Sequence, residues 1–202
     1  MKPRAIQIIQ SEHSTLAAVL RSLTLMAEQG PSNEPERFFD VLRAMLFYID
    51  EFPERQHHPK ESALLFPMLV RAEPQLQAIV AQLDKEHQAG QEKVRALQQK
   101  LLAWELMGNG RRRRFIDTLQ DYVRFYLEHM SVEEEHLLCA APLLLSSHDW
   151  IELDRAFNSH RDPLATGIRD PSFERLFTRI VMSAPEPLGI GRAFESQAGQ
   201  PN

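Results

Sequence analysis

The chain has 202 residues, 43% of them hydrophobic and 25% charged, with a formal net charge of −5. That length supports one well-buried domain with a small appendage, and the mildly acidic balance leaves no general footprint for nucleic acid. The single Cys139 excludes an intramolecular disulfide and suits a reducing compartment. The opening MKPRAIQIIQSEH does not read as a signal peptide, and no stretch approaches the roughly 20 apolar residues of a spanning helix. A soluble cytoplasmic protein without nucleic-acid or membrane partners is expected, and a homodimer is left open.

Apolar residues recur at helical period almost throughout. Ile6, Ile9, Leu16, Leu20 and Leu23 define a first helix that should stop at Gln29-Gly30-Pro31. Phe38, Leu42, Met45 and Ile49 begin a second, which runs through Leu64, Leu65 and Met68 to Glu73-Pro74. Pro53 and Pro59 lie inside it, so a bent or two-piece helix is predicted. Leu76 to Leu101 form a third, ending at Gly108-Asn109-Gly110, and Phe115 to Leu137 a fourth, stopping near Pro142. Four long helices with short connections predict an all-α, up-down-up-down, left-handed four-helix bundle over residues 1–145. Residues 146–185 are expected to form a C-terminal helical hairpin packed on that bundle, and residues 186–202 a loose tail rich in Pro, Gly and small polar residues.

Six polar residues fall on stripes that should face the core: His13, His57, Glu61, His87, His129 and Glu133. The pairs His57–Glu61 and His129–Glu133 are spaced i, i+4, which puts both side chains on one helix face. In antiparallel neighbours of ~1.5 Å rise per residue, the six would meet at nearly one level. A lone buried histidine is usually a hydrogen-bonded core residue. Six such groups together would be costly unless something satisfies them jointly, and a pair of cations does so. Chain order pairs His13 with His57 on one metal and His87 with His129 on the other, with the glutamates bridging. Nitrogen and oxygen ligation fits iron or manganese, whereas zinc is more often four-coordinate.

EHSTL at 12–16, HHPKESALLFP at 57–67, KEHQAG at 85–90 and HMSVEEEHLL at 129–138 together resemble the hemerythrin-like, or HHE cation-binding, family over roughly residues 5–142. That resemblance implies a site of two iron ions held by His13, His57, Glu61, His87, His129 and Glu133, with manganese or zinc as stand-ins on purification. It differs from the oxygen-carrying hemerythrins, whose third helix supplies H-x-x-x-H, because Gln91 stands at the second position. Their last ligand pair also ends in Asp at one residue greater spacing. A more open site implies a small ligand such as peroxide, dioxygen or nitric oxide, bound or turned over in oxidative-stress response or sensing, with peroxide consumption as the enzymatic form. The competing class is an iron-handling or metal-stabilised interaction protein with no turnover.

Several neighbours are assigned blander roles. His58 points about 100° from His57 on an α-helix and is expected beside the site or at the surface. His136, about 10 Å along the axis from His129, is too far for the same metal. Tyr126 is expected in the core, with hydrogen bonding to a ligand as the smaller alternative, and Gly90 gives clearance to a neighbour. The run Arg111–Arg114 is expected to be a solvated face. Glu134 and Glu135 are expected to be solvated neighbours of Glu133, and Cys139 a small core residue.

Overall fold

The computed structural model describes residues 3–31, 33–159, 162–166 and 174–184, and among these the chain is all-α with no strand. Helix α1 (Arg4–Gln29) ends where Gly30 takes φ 78° and returns its N–H to Met26. That left-handed backbone suits a residue without Cβ. Helix α2 (Pro35–Ile49) opens on proline, whose missing donor costs nothing in a first turn. It passes without a gap into a π-helical stretch Asp50–His57, then α3 (His58–Lys60), a second π-helical stretch Glu61–Leu65, and α4 (Phe66–Ala72). A single 3-10 turn (Pro74–Leu76) leads to α5 (Gln77–Met107). Gly108, at φ 83°, closes α5 with an N–H to Trp104.

The internal prolines therefore do not divide the second helix. Proline removes one i→i−4 bond and crowds the preceding turn. Pro53 lies inside the first π-helical stretch, where i→i+5 bonding makes a wider turn. Such turns concentrate at functional sites.

Helix α6 (Arg112–Val132) also ends in a π-helical stretch (Glu133–Leu138), followed by α7 (Ala141–Leu144), α8 (Ser147–Ser159), α9 (Pro163–Thr166) and α10 (Glu174–Ser183). Arg112 ties the start of α6 to the end of α1 by donating to the carbonyls of Ala27, at 3.1 Å, and Glu28. One member of the arginine run is thus a tether, not a solvated side chain. Helices α8 and α9 pack on α1, and α10 on α2. The tail expected after residue 185 lies outside the described residues. Cys139 is exposed, contrary to the core position expected of it: it sits where the helical path through Leu138 turns toward α7.

The core has two apolar clusters. One gathers Leu16 to Ala27 of α1, α2, Val94 to Trp104 of α5, Phe115 to Met130 of α6, and α10. The other gathers Ala5 to Ile9 of α1, Leu65 to Leu69, Val80 and Leu83 of α5, Leu137 and Leu138, and α8. Each fully buried Leu, Ile or Phe contributes roughly 1.5–3 kcal/mol. His13, His57, Glu61, His87 and Glu133 all fall, in sequence, between the stretches that feed the two clusters, so a polar layer separates them.

A candidate metal centre

The six residues singled out by spacing are all buried, none more than 6% exposed, and the structure brings them together. Glu61 lies between two histidines: its Oε1 is 2.8 Å from His57 Nε2 and its Oε2 is 3.6 Å from His87 Nε2. Glu133 does the same for the other two, with Oε2 at 3.6 Å from His13 Nε2 and 3.9 Å from His129 Nε2. The rings of His13 and His57 are 5.2 Å apart, and those of His87 and His129 4.8 Å. This is the pairing that chain order suggested.

Each imidazole is held from behind. His13 Nδ1 donates to Glu134 at 2.9 Å, His57 Nδ1 to Glu12 at 2.5 Å, and His129 Nδ1 to Glu86 at 2.9 Å. His87 Nδ1 meets the Ser62 hydroxyl at 2.9 Å, which in turn donates to Asp84 at 2.6 Å. A proton fixed on Nδ1 leaves a lone pair on Nε2 of the neutral ring, the usual arrangement behind a metal-ligating histidine. The supports follow a rule of position. Glu12, Glu86, Ser62 and Glu134 each adjoin a core-facing residue of their own helix and reach across to a histidine of another.

The inward-facing atoms are left without ordinary partners. Both oxygens of Glu61, both of Glu133 and His57 Nε2 are buried with no hydrogen-bond partner. The short His57–Glu61 approach is therefore close without being aligned as a hydrogen bond. His87 Nε2 and His129 Nε2 face each other at 3.2 Å, within hydrogen-bond distance. Burial, then the charge of Glu61, pushes the Glu133 carboxyl above its ordinary range. Burial and the neighbouring His129 push His87 down, so its ring is neutral. Burial opposes a charge on His57 as well, but Glu61 and Glu12 outweigh it and raise that imidazole. Carboxyl groups and imidazoles turned inward on one another form a donor set for cations, and divalent metal, by displacing the protons they hold, satisfies the inward oxygens and nitrogens together.

Of the two places expected for His58, beside the site or at the surface, the structure takes the first. His58 is buried at 4% exposure, its Nδ1 lies 3.3 Å from Glu54, and its ring stacks on His87 at 4.1 Å with an interplanar angle of 10°. His57 closes the π-helical stretch and His58 opens α3, and the two rings lie 5.6 Å apart, both buried. Two trios each bring one ligand atom per residue within 4.8 Å of the others: His13, His57 and Glu61, and His58, His87 and His129.

Glu54 is fully buried behind His58, accepting from Tyr126 and, at 3.2 Å, from Tyr122. Tyr126 thus hydrogen-bonds a carboxylate beside the site. Burial raises Glu54 to about 7 against the lowering by the two tyrosines. Gly90 provides their space: a Cβ there would lie 2.8 and 2.9 Å from the two Glu54 oxygens and closer still to the Tyr126 hydroxyl. A cavity of about 20 Å³ opens beside His13 and His57, and a groove of about 530 Å³ beside His58, His87 and Gln91.

A family model for the hemerythrin HHE cation binding domain matches residues 4–141. No curated protein matches the chain. No helix among the described residues is long and apolar enough to cross a membrane.

Proposed function

Because the chain belongs to the hemerythrin HHE cation-binding family, we propose that it is a cytoplasmic non-haem di-iron protein that binds or turns over a small oxidant (peroxide, dioxygen or nitric oxide) in oxidative-stress response or sensing. In this reading His13 and His57 would hold one iron, His87 and His129 the other, and Glu61 and Glu133 would bridge. The proposed bundle is up-down-up-down and left-handed, with α8 and α9 packed on α1 and α10 on α2. The way opposite ends of successive helices share one apolar cluster supports that order.

The observation that carries the reading is the set of buried, unpartnered inward atoms: both oxygens of Glu61, both of Glu133, and His57 Nε2. A buried carboxylate pair left in that state would cost several kcal/mol. An iron pair supplies redox chemistry and Lewis acidity at one point. The protein's own part is to hold each imidazole by its Nδ1 proton, to keep Glu61 and Glu133 out of water, and to limit what reaches them. The cavity beside His13 and His57, about 20 Å³, exceeds the roughly 10–15 Å³ that one water-sized molecule requires.

The test is anaerobic loading with ferrous iron, metal analysis, and then addition of hydrogen peroxide. About two irons per chain are expected, with a near-ultraviolet band on oxidation that responds to azide, and peroxide consumption that Glu133→Ala abolishes. Stoichiometric zinc, no azide response and no peroxide consumption would instead establish a metal-stabilised protein without turnover.

A further inference from the structure

The chain has three tyrosines, Tyr48, Tyr122 and Tyr126, and none is more than 1% exposed. Each hydroxyl donates to a carboxylate: Tyr48 to Asp162, and Tyr122 and Tyr126 both to Oε1 of Glu54. A buried phenol needs an acceptor, but a backbone carbonyl or an amide would serve without burying an ionisable group. Glu54 is fully buried, and its hydrogen-bond partners are the two phenols and His58 Nδ1. The three tyrosines differ in what their rings touch. Tyr126 meets His129 edge-on, at 5.8 Å between centroids, and lies parallel to His58 at 5.7 Å. Tyr122 adjoins Tyr126 at 4.8 Å, and Tyr48 stacks on Phe52. Tyr126 therefore combines a carboxylate acceptor with ring contact to a histidine assigned to the centre.

A phenol surrenders an electron readily only when its proton can leave at the same moment, because the cation radical left otherwise is costly to hold out of water. We propose that Tyr126 is a one-electron donor to hydrogen peroxide at the di-iron centre, with Glu54 receiving its proton. This rests on the di-iron reading above. Peroxide takes up two electrons in becoming two waters. Both are on hand while both irons are ferrous. When a single ferrous ion remains there is only one, and one-electron reduction of peroxide releases hydroxyl radical. Tyr126 supplies the missing electron in that state. Its O–H bond breaks and the proton passes to Glu54 Oε1, while the peroxide O–O bond breaks and takes two protons from solvent. The products are two waters, a ferric ion, a neutral tyrosyl radical and protonated Glu54. His58 holds the other oxygen of Glu54 at 3.3 Å, and both residues line the groove, which gives that proton a way out.

The test uses the whole chain loaded anaerobically with ferrous iron, half-oxidised with a one-electron oxidant, mixed with hydrogen peroxide and frozen for electron spin resonance. The wild type is expected to give an organic radical whose pattern narrows when the tyrosines carry ring deuterium. Tyr126→Phe should keep both irons, lose that signal and release hydroxyl radical to a spin trap, whereas Tyr48→Phe should keep the signal. Glu54→Gln keeps an acceptor for the hydroxyl but no base, and should slow radical formation by roughly a hundredfold or more, which a purely structural role for Glu54 would not do. A wild type that oxidises its last ferrous ion with peroxide and shows no tyrosyl radical overturns the proposal without reference to any variant's folding. A signal that survives Tyr126→Phe, or that forms as fast in Glu54→Gln, overturns it too. These outcomes leave the di-iron reading standing. A wild type that takes up no second iron equivalent overturns both.

Discussion

The two halves of the centre have similar donors and opposite surroundings. On the His13–His57 side the C-terminal segment forms a cover: the Phe157 ring lies 6.0 Å from that of His57, Lys60 Nζ sits over the Phe157 ring at 5.4 Å, and Asp162 lines the small cavity. On the His87–His129 side, a groove lined by Gln88, Gln91, Glu92 and Arg95 reaches the imidazoles from the surface. The four imidazoles themselves are buried alike, His13 and His57 at 5%, His87 at 6% and His129 at 2%, so the halves differ in what lies just outside them: a small cavity under the C-terminal segment on one side and a polar groove on the other.

The most severe test of this division removes what the halves share. Glu133 approaches His13 and His129, one from each half, so Glu133→Ala should empty both. Ligand linkage of about 4 kcal/mol at a thousandfold excess over Kd, spread over a chain of this size, corresponds to a fall in Tm on the order of 10 °C. His57→Ala and His129→Ala should each empty one half and lower Tm by less. Metal analysis beside thermal melts reads both effects. If His57→Ala empties both halves, the centre behaves as one unit and the division fails.

The all-α class and the meeting of six residues could be read from spacing because both depend only on helical period. Pro53 misled in one respect. Its cost as a helix breaker is real, but the π-helical stretch absorbs it. No residue pattern in HHPKE announces the wider turn. The carboxylates behind the imidazoles were hidden for another reason. Glu134, 40% exposed at its side chain, reads as a solvated acid, yet it holds His13. A signal was present: Glu12, Glu86 and Glu134 each adjoin a core-facing His or Glu, so each begins at the rim of the polar layer and needs only to lean across to the next helix.

A second perturbation acts on the groove side alone. In an exposed helix, Gly→Ala stabilises by about 1 kcal/mol. At Gly90 the added methyl would meet the Tyr126 hydroxyl and both Glu54 oxygens, and overpacking of that kind typically costs about 1–3 kcal/mol. Gly90→Ala is therefore expected to destabilise. It should also weaken iron at the His87–His129 half, because Glu54 must move to make room, and with it His58, whose ring stacks on His87. Denaturant unfolding gives the sign, and stepwise iron titration shows whether the loss stays in one half. A stabilised variant with both equivalents intact would show that Tyr126 and Glu54 yield freely, and that they position nothing.

The smallest expected effect belongs to the cover. Asp162 accepts the Tyr48 hydroxyl and the backbone N–H groups of Leu164, at 2.8 Å, and Ala165. Burial nonetheless raises its carboxyl from the ordinary 3.8 to about 6, against the lowering by those donors. Between these values the folded chain keeps a proton that the unfolded chain has released. The group's contribution to stability is therefore full below its unfolded pKa and is lost as pH rises through about 6. Asp162→Asn keeps an acceptor and removes the charge. It should be more stable than the wild type at neutral and alkaline pH, by on the order of 1–2 kcal/mol, with the difference shrinking toward zero below about pH 4. Taking the difference between the two chains at each pH cancels the titration of the metal-facing histidines, which both share. A difference independent of pH would mean that Asp162 is solvated in the folded chain, and that the covered half is open to water after all.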